Sequence, residues 1–589
     1  MQEARAVGVE DADVAASTVI HTGTGADAMP RLAADRLTLE VGAYLLLWLL
    51  AAGLRLWDLG TPLLSADEGR RALAALQLTR GDVSSLAAGP VLMYGTAALF
   101  FLFSASDFTA RLLPSLAGLA VVFYPYLGRR WFGREAALGA TLLLAISPSL
   151  VGASRQLDGE LPALALLGGA ALAYAQAREG GGRLAFALAG LLAGLTLACG
   201  PSSFALVVPL GLAFGLTQAL AGRLPADSSQ LLGRWRPWAL PGALGLLLVA
   251  TGLLSQPQGV QTGVIDPLAL WLGSFAGGVR VWPAVVATLA VYEPAVVLGA
   301  VAALVLLPWL GAGARFALVW GTVAVLAAGF AAGPGASGLS YIVLPWALAG
   351  GTAVAELWRQ GRRRLAPAEA ALFLCSTLPA VWLFGITAGY VALPNSTVPP
   401  SVVLVPPALL WVVAALWAFW RGPSPAAWGA ALLAAVVVLG FALHVSAAVA
   451  ETDPLGPGFL PAHQTTGADL RSLYQEIERE SAVLSTPGSR DLSLAVDATL
   501  KYPLAWYLRD YTRVTYDGPT VGSTLVVVPA EVEPPPGNYV WQKYTLGGAA
   551  AFAASGPGQL WRWLLYREFT VVAPRQEVRL YVAVGNANR

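Results

Sequence analysis

Two acidic clusters contain the residues of this sequence that are best suited to chemistry. Asp67 and Glu68 directly follow the first long apolar segment, and Asp158 and Glu160 lie with Arg155 between two later apolar segments. A carboxylate can act as a general base, and an arginine can stabilise the charge of a departing phosphate. If both clusters meet at one membrane face, they have the groups needed to transfer a sugar from a lipid phosphate.

Each cluster also has a structural explanation. Ser65 and Glu68 fit a capping box at the start of a helix, where Asp67 would favour the helix dipole. A capping box needs no acid at the position of Asp67, so capping explains Glu68 better than its neighbour. In the second cluster, Asp158 fits an N-cap with Pro162 early in the following helix.

Membrane spans must position these residues. The chain has 589 residues, of which 56% are hydrophobic and 12% charged, whereas a soluble chain carries about a quarter charged residues. Apolar runs of about 17–25 residues indicate transmembrane helices. We predict about 13 spans, at residues 39–57, 107–128, 134–152, 160–177, 184–199, 202–221, 238–255, 289–311, 315–333, 338–357, 368–390, 401–420 and 426–449.

A shorter apolar run at residues 90–103 decides the predicted orientation. It has about 14 residues, too few to cross, so we expect it to lie in the interface. With a loose tail (1–37) in the cytoplasm, most basic loops then also lie inside, as the positive-inside rule requires. The first loop (58–106) and the segment around 154–160 become extracytoplasmic. We therefore predict a multi-pass plasma-membrane protein with a transmembrane domain at residues 38–450.

The composition changes at residues 451–589, which we predict to form a small extracytoplasmic α/β domain. Helical periodicity at 466–482 is followed by strand-like runs at Leu492–Val496, Arg513–Tyr516, Thr524–Val528 and Val578–Val582. The segment 501–511 is rich in aromatic residues, which suits sugar stacking or the membrane interface. A helix of the domain core explains the same residues and is the preferred interpretation.

Further residues on the predicted outer side could contact the substrate. Basic residues there oppose the positive-inside trend, so they suit phosphate binding or snorkelling to headgroups: Arg70, Arg71, Arg80, Arg111 and Arg280. The candidate substrate contacts are Arg155, Glu160, Arg70, Arg71, Tyr94 and Arg280. Glu293 could line a cavity or cap a helix. The two cysteines lie in apolar spans and the three histidines are scattered, which disfavours a disulfide framework and a Cys- or His-based metal site.

Several motifs together resemble the dolichyl-phosphate-mannose–protein mannosyltransferase superfamily, which includes bacterial aminoarabinose transferases acting on lipid A. The motifs are Leu64–Arg71, the short helix at 90–103, Ser106–Pro114, Gly128–Gly133, Ser147–Ser149, Ser154–Arg155 with Asp158, and Ser340–Pro345. The likeness is closest to bacterial and archaeal glycosylation-associated members and is best over about residues 40–180. It implies the GT-C fold. The WWDYG-type motif of oligosaccharyltransferases is absent from the sequence.

The resemblance implies a glycosyltransferase that moves a hexose or pentose from a polyprenyl-phosphate donor to a protein, lipid or glycan acceptor. By carry-over, Asp67 is the catalytic base, Glu68 the second acid of the pair, and Asp158 the acid of the second outer loop. Asp67 would deprotonate an acceptor hydroxyl, which attacks the anomeric carbon with inversion. A divalent metal ion held by Asp67 and Asp158 could bridge acids and phosphate. The expected surroundings are membrane lipids, with no nucleic acid as partner.

Two other classes of protein fit the same composition. A transporter or flippase component for lipid-linked sugars would carry charged residues in mid-span along a pathway. A non-catalytic membrane scaffold would anchor the C-terminal domain. It would be favoured if Asp67, Asp158 and Arg155 lay far apart, or if no lipid-sized cavity faced the bilayer.

Overall fold

The structure, a computed structural model, describes residues 39–81, 89–220, 228–276, 282–331, 339–391, 393, 396–451, 469–484, 490–518, 522–546 and 576–584. Residues 44–589 form one compact unit. The other unit comprises residues 1–43, of which residues 39–43 are described and are helical. The tail predicted at 1–37 lies outside the described residues.

Helices make up most of residues 39–451. They are α1 (Leu39–Leu56), α2 (Ala66–Thr79), α3 (Pro90–Phe103), α4 (Asp107–Leu127), α5 (Arg129–Phe132), α6 (Arg134–Ala145), α7 (Pro148–Ser154), α8 (Glu160–Gln176), α9 (Gly182–Leu197), α10 (Ser202–Leu220), α11 (Ser228–Ala250), α12 (Asp266–Gly273), α13 (Trp282–Tyr292), α14 (Pro294–Val305), α15 (Ala312–Phe330), α16 (Leu339–Arg362), α17 (Pro367–Val391), α18 (Val405–Arg421) and α19 (Pro423–Glu451).

The predicted class, a helical multi-pass membrane protein, is confirmed, but the count of about 13 spans is not. Among the described residues, eight helices are long and apolar enough to cross a membrane, or nine if α6 and α7 form one bent span. Prolines explain part of the difference. Pro148 begins α7 after a 60° bend from α6, and Pro294 begins α14 directly after Glu293, inside the span predicted at 289–311.

Small residues allow neighbouring helices to pack closely in the bundle. A Cβ atom on Gly190 of α9 would overlap the backbone carbonyl of Trp238 in α11, and one on Gly194 would overlap that of Gly242. Close backbone approach of this kind is how helices gain van der Waals contact where no hydrophobic force drives their association.

In its described residues, the C-terminal domain has a five-stranded sheet and two α-helices. In chain order its elements are α20 (Asp469–Leu484), β1 (Leu494–Val496), α21 (Lys501–Tyr507), β2 (Val514–Thr515), β3 (Leu525–Pro529), β4 (Tyr539–Leu546) and β5 (Gln576–Ala583). The strand order is β2-β1-β3-β5-β4, and β1 pairs in parallel with β2 and β3. Strand β5 runs antiparallel to β3 and β4. The predicted α/β character is confirmed, and β4 is the strand that was not predicted.

One hydrophobic core joins the C-terminal domain to the first loop of the helical bundle. Leu64, Ala72 and Leu92 are buried in the same cluster as Leu473 and Trp506. The domain therefore packs directly on α2 and α3, the helices of the loop that carries the first acidic cluster.

Candidate functional site

The two acidic clusters meet at one end of the helical bundle. The backbone N–H of Leu157 donates to Glu68 Oε1 at 2.8 Å. Arg71 Nη1 donates to the carbonyl of Leu157 at 2.7 Å and to Asp158 Oδ2 at 3.1 Å. The helix that carries Asp67 is therefore in contact with the loop that carries Asp158.

The short helix α3 lies along the same end. Near its start, the N–H of Val91 donates to the carbonyl of Ala198, in the turn between α9 and α10, at 3.1 Å. Near its other end, Phe100 stacks on Trp506 of the C-terminal domain with ring centroids 5.7 Å apart. Its last residues, Phe101, Leu102 and Phe103, are exposed. With 14 residues, α3 is shorter than a helix that crosses a membrane, and its interfacial position stays a prediction.

Glu68 is a buried, fully bonded carboxylate. Its Oε1 accepts from Arg111 Nε at 2.9 Å besides Leu157, and its Oε2 accepts from Arg111 Nη2 at 2.9 Å and from the N–H of Ser65 at 3.0 Å. The Ser65 hydroxyl accepts from the N–H of Glu68, so the predicted capping box is confirmed. Burial raises the pKa of Glu68, but the charge of Arg111 and these hydrogen bonds leave the pKa below its usual value. Glu68 is therefore an ionised structural anchor.

Arg111 has neither of the roles considered from the sequence. Its side chain is fully buried, so it does not snorkel, and its remaining donors reach the segment before α2. Nη1 donates to the carbonyl of Pro62 at 2.6 Å, and Nη2 donates to that of Leu63 at 3.0 Å. Arg111 thus clamps both the first turn of α2 and the chain that enters it.

Asp67 has a different environment although it is adjacent to Glu68. Its side chain is 64% exposed and forms an ion pair with Arg70, which is 58% exposed. Exposed pairs of this kind contribute little to stability. Asp67 is therefore the member of the acidic pair that can reach a substrate.

Asp158 is positioned by Arg71 rather than by helix capping. The N-cap of α8 is Gly159, and no side chain caps it, so the interpretation of Asp158 as N-cap is wrong. The Asp158 carboxylate accepts from Arg71 and from the N–H of Gly159. The charge of Asp158 is the main cause that raises the pKa of Arg71 despite burial. Both side chains remain about one-third exposed.

Arg155 uses its donors on backbone carbonyls at the end of α1, and not on the proposed site. It is 1% exposed, and its guanidinium donates to the carbonyls of Trp57 at 2.7 Å and Asp58 at 3.2 Å. A cation at a helix C-terminus complements the helix dipole. The geometry supports a positioning role for Arg155 in place of the predicted phosphate contact.

The remaining candidates are dispersed. Glu160 accepts from the N–H of Ser340 at 3.1 Å and so satisfies the N-terminus of α16. Tyr94 is half-buried on α3. Arg280 lies outside the described residues.

Buried charges in the spans bind backbone at the break between α6 and α7. Glu293 accepts from the Ser147 hydroxyl at 2.7 Å and from the N–H of Ser149 at 2.8 Å, so its side chain caps the start of α7 and not α14, the helix that it precedes. Arg55, which the sequence reading did not single out, donates to the carbonyls of Leu144 and Ala145 at 3.1 and 3.2 Å. Where a transmembrane helix bends, backbone N–H and C=O groups lose their helical partners, and side chains such as these can supply the missing hydrogen bonds. These charges therefore have structural partners that a transport pathway would not require.

The carboxylates do not form a metal-binding set. Among the residues that the structure describes, no group of three or more His, Cys, Asp or Glu side chains is placed to hold a metal ion. Asp67 and Asp158 instead each face an arginine. The predicted divalent ion does not fit this donor set, and no reaction step is derived through it.

Asp107 belongs to the Ser106–Pro114 motif, but no role was predicted for it from the sequence. It is the first residue of α4, where Ser106 and Thr109 form a capping box. Its Oδ1 accepts from Trp506 Nε1 at 2.7 Å, and its Oδ2 accepts from the Tyr507 hydroxyl at 3.0 Å. The helix start was visible as a Ser-Asp-x-Thr pattern, but nothing local indicated partners in the C-terminal domain.

Comparisons with known proteins agree with the motif pattern in one stretch of the chain. The family model described as dolichyl-phosphate-mannose-protein mannosyltransferase matches residues 87–233. No curated protein matches the sequence.

Two solved structures of ArnT from Cupriavidus metallidurans are also similar. The one bound to undecaprenyl phosphate has 16% identity and a TM-score of 0.49, and the match covers 94% of this chain and 98% of that one. The one in the apo state has 17% identity and a TM-score of 0.45, with 92% and 97% covered. From the family match, we conclude that over residues 87–233 this chain is similar to the dolichyl-phosphate-mannose-protein mannosyltransferase family, as its motifs predict.

Proposed function

We propose that this protein is a GT-C glycosyltransferase that moves a sugar from a polyprenyl-phosphate donor to an acceptor at the extracytoplasmic face of the plasma membrane. The family match over residues 87–233 and the apolar helices support this class of protein. The donor would enter from the bilayer, beside the interfacial helix α3. The acceptor would approach from the side of the C-terminal domain.

The contrast between Asp67 and Glu68 carries the proposal. Glu68 is locked by Arg111 and Leu157, which holds the first turn of α2 against the second outer loop. The same turn presents the exposed carboxylate of Asp67 to solvent. A base held on a rigid element is what in-line attack by an acceptor hydroxyl needs.

The reaction then follows from these positions. Asp67 removes the proton of an acceptor hydroxyl while that oxygen forms a bond to the anomeric carbon. The bond from the anomeric carbon to the phosphate oxygen breaks, and the polyprenyl phosphate leaves with the electron pair. The configuration at the anomeric carbon inverts. Arg70 is the exposed cation beside Asp67, so it is the arginine that we assign to the phosphate. Arg71 keeps Asp158 at the same site.

The orientation rests on the distribution of arginines. α4 begins at Asp107 beside the site and α16 begins near Glu160, so both helices end at the opposite end of the bundle. Basic residues concentrate there, including Arg129, Arg130, Arg359 and Arg362. By the positive-inside rule, that end faces the cytoplasm and the site faces outward.

Replacement of the proposed base gives the sharpest test. We expect Asp67→Asn to lower the transfer rate about 10²- to 10⁴-fold, because a positioned general base contributes that much. The assay uses purified protein in vesicles supplied with a panel of undecaprenyl-phosphate sugars and a panel of protein, lipid and glycan acceptors, and it follows release of undecaprenyl phosphate. Asp510→Asn is the matched control, since Asp510 is also an exposed aspartate paired with an arginine, Arg490. Transfer at the wild-type rate by folded Asp67→Asn would remove Asp67 from the mechanism.

A further inference from the structure

Helix α2 has contacts on two sides. One contact is with α4, and the other is with α21 of the C-terminal domain. On one side, Arg111 binds Glu68. On the other, α21 approaches so closely that a Cβ atom on Gly69 would lie 3.0 Å from Pro503 Cβ and 3.1 Å from its Cα. Gly69 is two residues after Asp67, so α21 contacts the same turn that carries the proposed base.

Tyr507, at the end of α21, fixes the chain just before this turn. Its hydroxyl accepts from the backbone N–H of Leu64 at 2.7 Å and donates to Asp107 Oδ2 at 3.0 Å. Leu64 directly precedes Ser65, the N-cap of α2. The phenol thus bridges the entry to α2 and the first residue of α4.

Trp506 completes the connection to the Arg111 clamp. Its indole is fully buried, and its Nε1 donates to Asp107 Oδ1 at 2.7 Å. Asp107 and Arg111 lie one helical turn apart on α4, so the helix that α21 grips also holds Glu68. The residues of α4 that connect to α2, Arg111 directly and Asp107 through Tyr507, therefore both lie among the first five residues of α4.

The geometry points to α21 as a positioning element for the Asp67 carboxylate, with Tyr507 as its central positioning residue. The inference rests on the proposed function, because it assigns a task to the C-terminal domain in that reaction. Tyr507 touches no reacting atom; it acts by setting the place and rigidity of α2. Loss of its hydroxyl should lower the rate of the chemical step and leave donor affinity unchanged.

Tyr507→Phe removes both hydrogen bonds and keeps the ring. We expect kcat to fall about 10-fold, within the 10²-fold that a misplacement of about 1 Å can cost, and the KM for undecaprenyl-phosphate sugar to stay within about twofold. Tyr539→Phe is the matched control, because the Tyr539 hydroxyl bonds the carbonyl of Ser523 inside the same domain, away from α2. An unchanged kcat in folded Tyr507→Phe would overturn the inference, as would a rise confined to the KM of the acceptor.

Gly69→Ala tests the same contact from the other side and guards against misfolding of the first variant. Alanine is the better helix former by about 1 kcal/mol, so lower kcat in this variant cannot come from a weaker α2 helix. We expect kcat to fall about threefold here, since a methyl group about 3.0 Å from Pro503 shifts α2 and α21 apart by a few tenths of an ångström. Gly211→Ala, on α10 with open space around it, is the control. Wild-type kcat in Gly69→Ala would contradict the positioning role.

A readout that does not depend on catalysis separates this inference from the proposed function. In hydrogen exchange, Tyr507→Phe should speed exchange at Leu64 and across α2 about fivefold or more, because a backbone donor loses its partner and the helix loosens. Exchange in α20 should not change. If the wild type transfers no sugar but α2 responds in this way, the proposed function fails and the coupling stands. Unchanged exchange in α2 overturns the coupling itself.

Discussion

The two ends of the helical bundle use the same residue types for different purposes. At the end that carries the proposed site, the Glu68–Arg111 pair is buried, with side chains 4% and 0% exposed. At the other end, the Arg130–Glu179 and Arg359–Glu135 pairs have every side chain about half exposed. Exposed pairs contribute about 0–1 kcal/mol, whereas breaking a buried pair costs about 3–5 kcal/mol. The buried pair therefore fixes the geometry at one end of the bundle, whereas solvent screens these pairs at the other end.

The largest expected effect comes from breaking the buried pair. We predict that Glu68→Gln lowers the free energy of unfolding by about 3–5 kcal/mol, because it leaves the buried Arg111 guanidinium without a compensating charge. The amide keeps one acceptor oxygen but turns an N–H donor toward two of the four donors that the carboxylate binds, so lost hydrogen bonds add to the lost charge. Denaturant unfolding in detergent micelles measures it. A loss below about 1 kcal/mol would place this pair in the same class as the exposed pairs and end the contrast between the two ends.

Acid should weaken the same pair more gradually. The pKa of Glu68 in the folded protein is below its ordinary value of 4.5. A depressed folded pKa gives stability that is fully present above the unfolded pKa and is lost as pH falls through the folded pKa. The stability gap between wild type and Glu68→Gln should therefore be constant above about pH 5 and narrow below pH 4.5. The stability that acid removes through Glu68 cannot exceed the stability that Glu68→Gln removes at neutral pH.

Thermal unfolding of both proteins from pH 7 to pH 3 checks this dependence. Because other carboxylates titrate equally in the two proteins, the difference between them isolates Glu68. A gap that widens on acidification would mean that the carboxyl is stabilised in its neutral form, contrary to its four hydrogen bonds from Arg111, Leu157 and Ser65.

Local patterns were enough to predict the start of α2. Ser65 and Glu68 are three residues apart, and the capping box that this spacing predicts is present. Four strands of the C-terminal domain were also predicted within a few residues, since each contains β-branched or aromatic residues that favour strands. Strand β4 was missed because it lies at the sheet edge with half of its side chains exposed and only two buried, so its sequence lacks the buried-face pattern.

The contacts that give the site its geometry could not be predicted from spacing. Arg111 lies 43 residues from Glu68, and Trp506 lies 399 residues from Asp107. For Arg155 a contact was predicted but with the wrong partner. Its type and position suited a phosphate, yet it binds the carbonyls at the end of α1. The packing of distant segments decides which donor meets which acceptor. A buried polar group that is left without a hydrogen-bond partner lowers the stability of the fold.

The smallest expected effect tests the exposed end of the comparison. Glu135 of α6 accepts from Arg359 of α16 at 3.1 Å, and Arg359 also pairs with Glu356 at 3.1 Å. We predict that Glu135→Gln changes the free energy of unfolding by less than about 1 kcal/mol, because solvent screens the pair and Arg359 keeps its second partner. Denaturant unfolding with the Arg359→Gln and double variants gives the coupling energy. A coupling above about 2 kcal/mol would show that this end also fixes geometry, and the Glu68–Arg111 pair would then not distinguish the proposed site from the rest of the bundle.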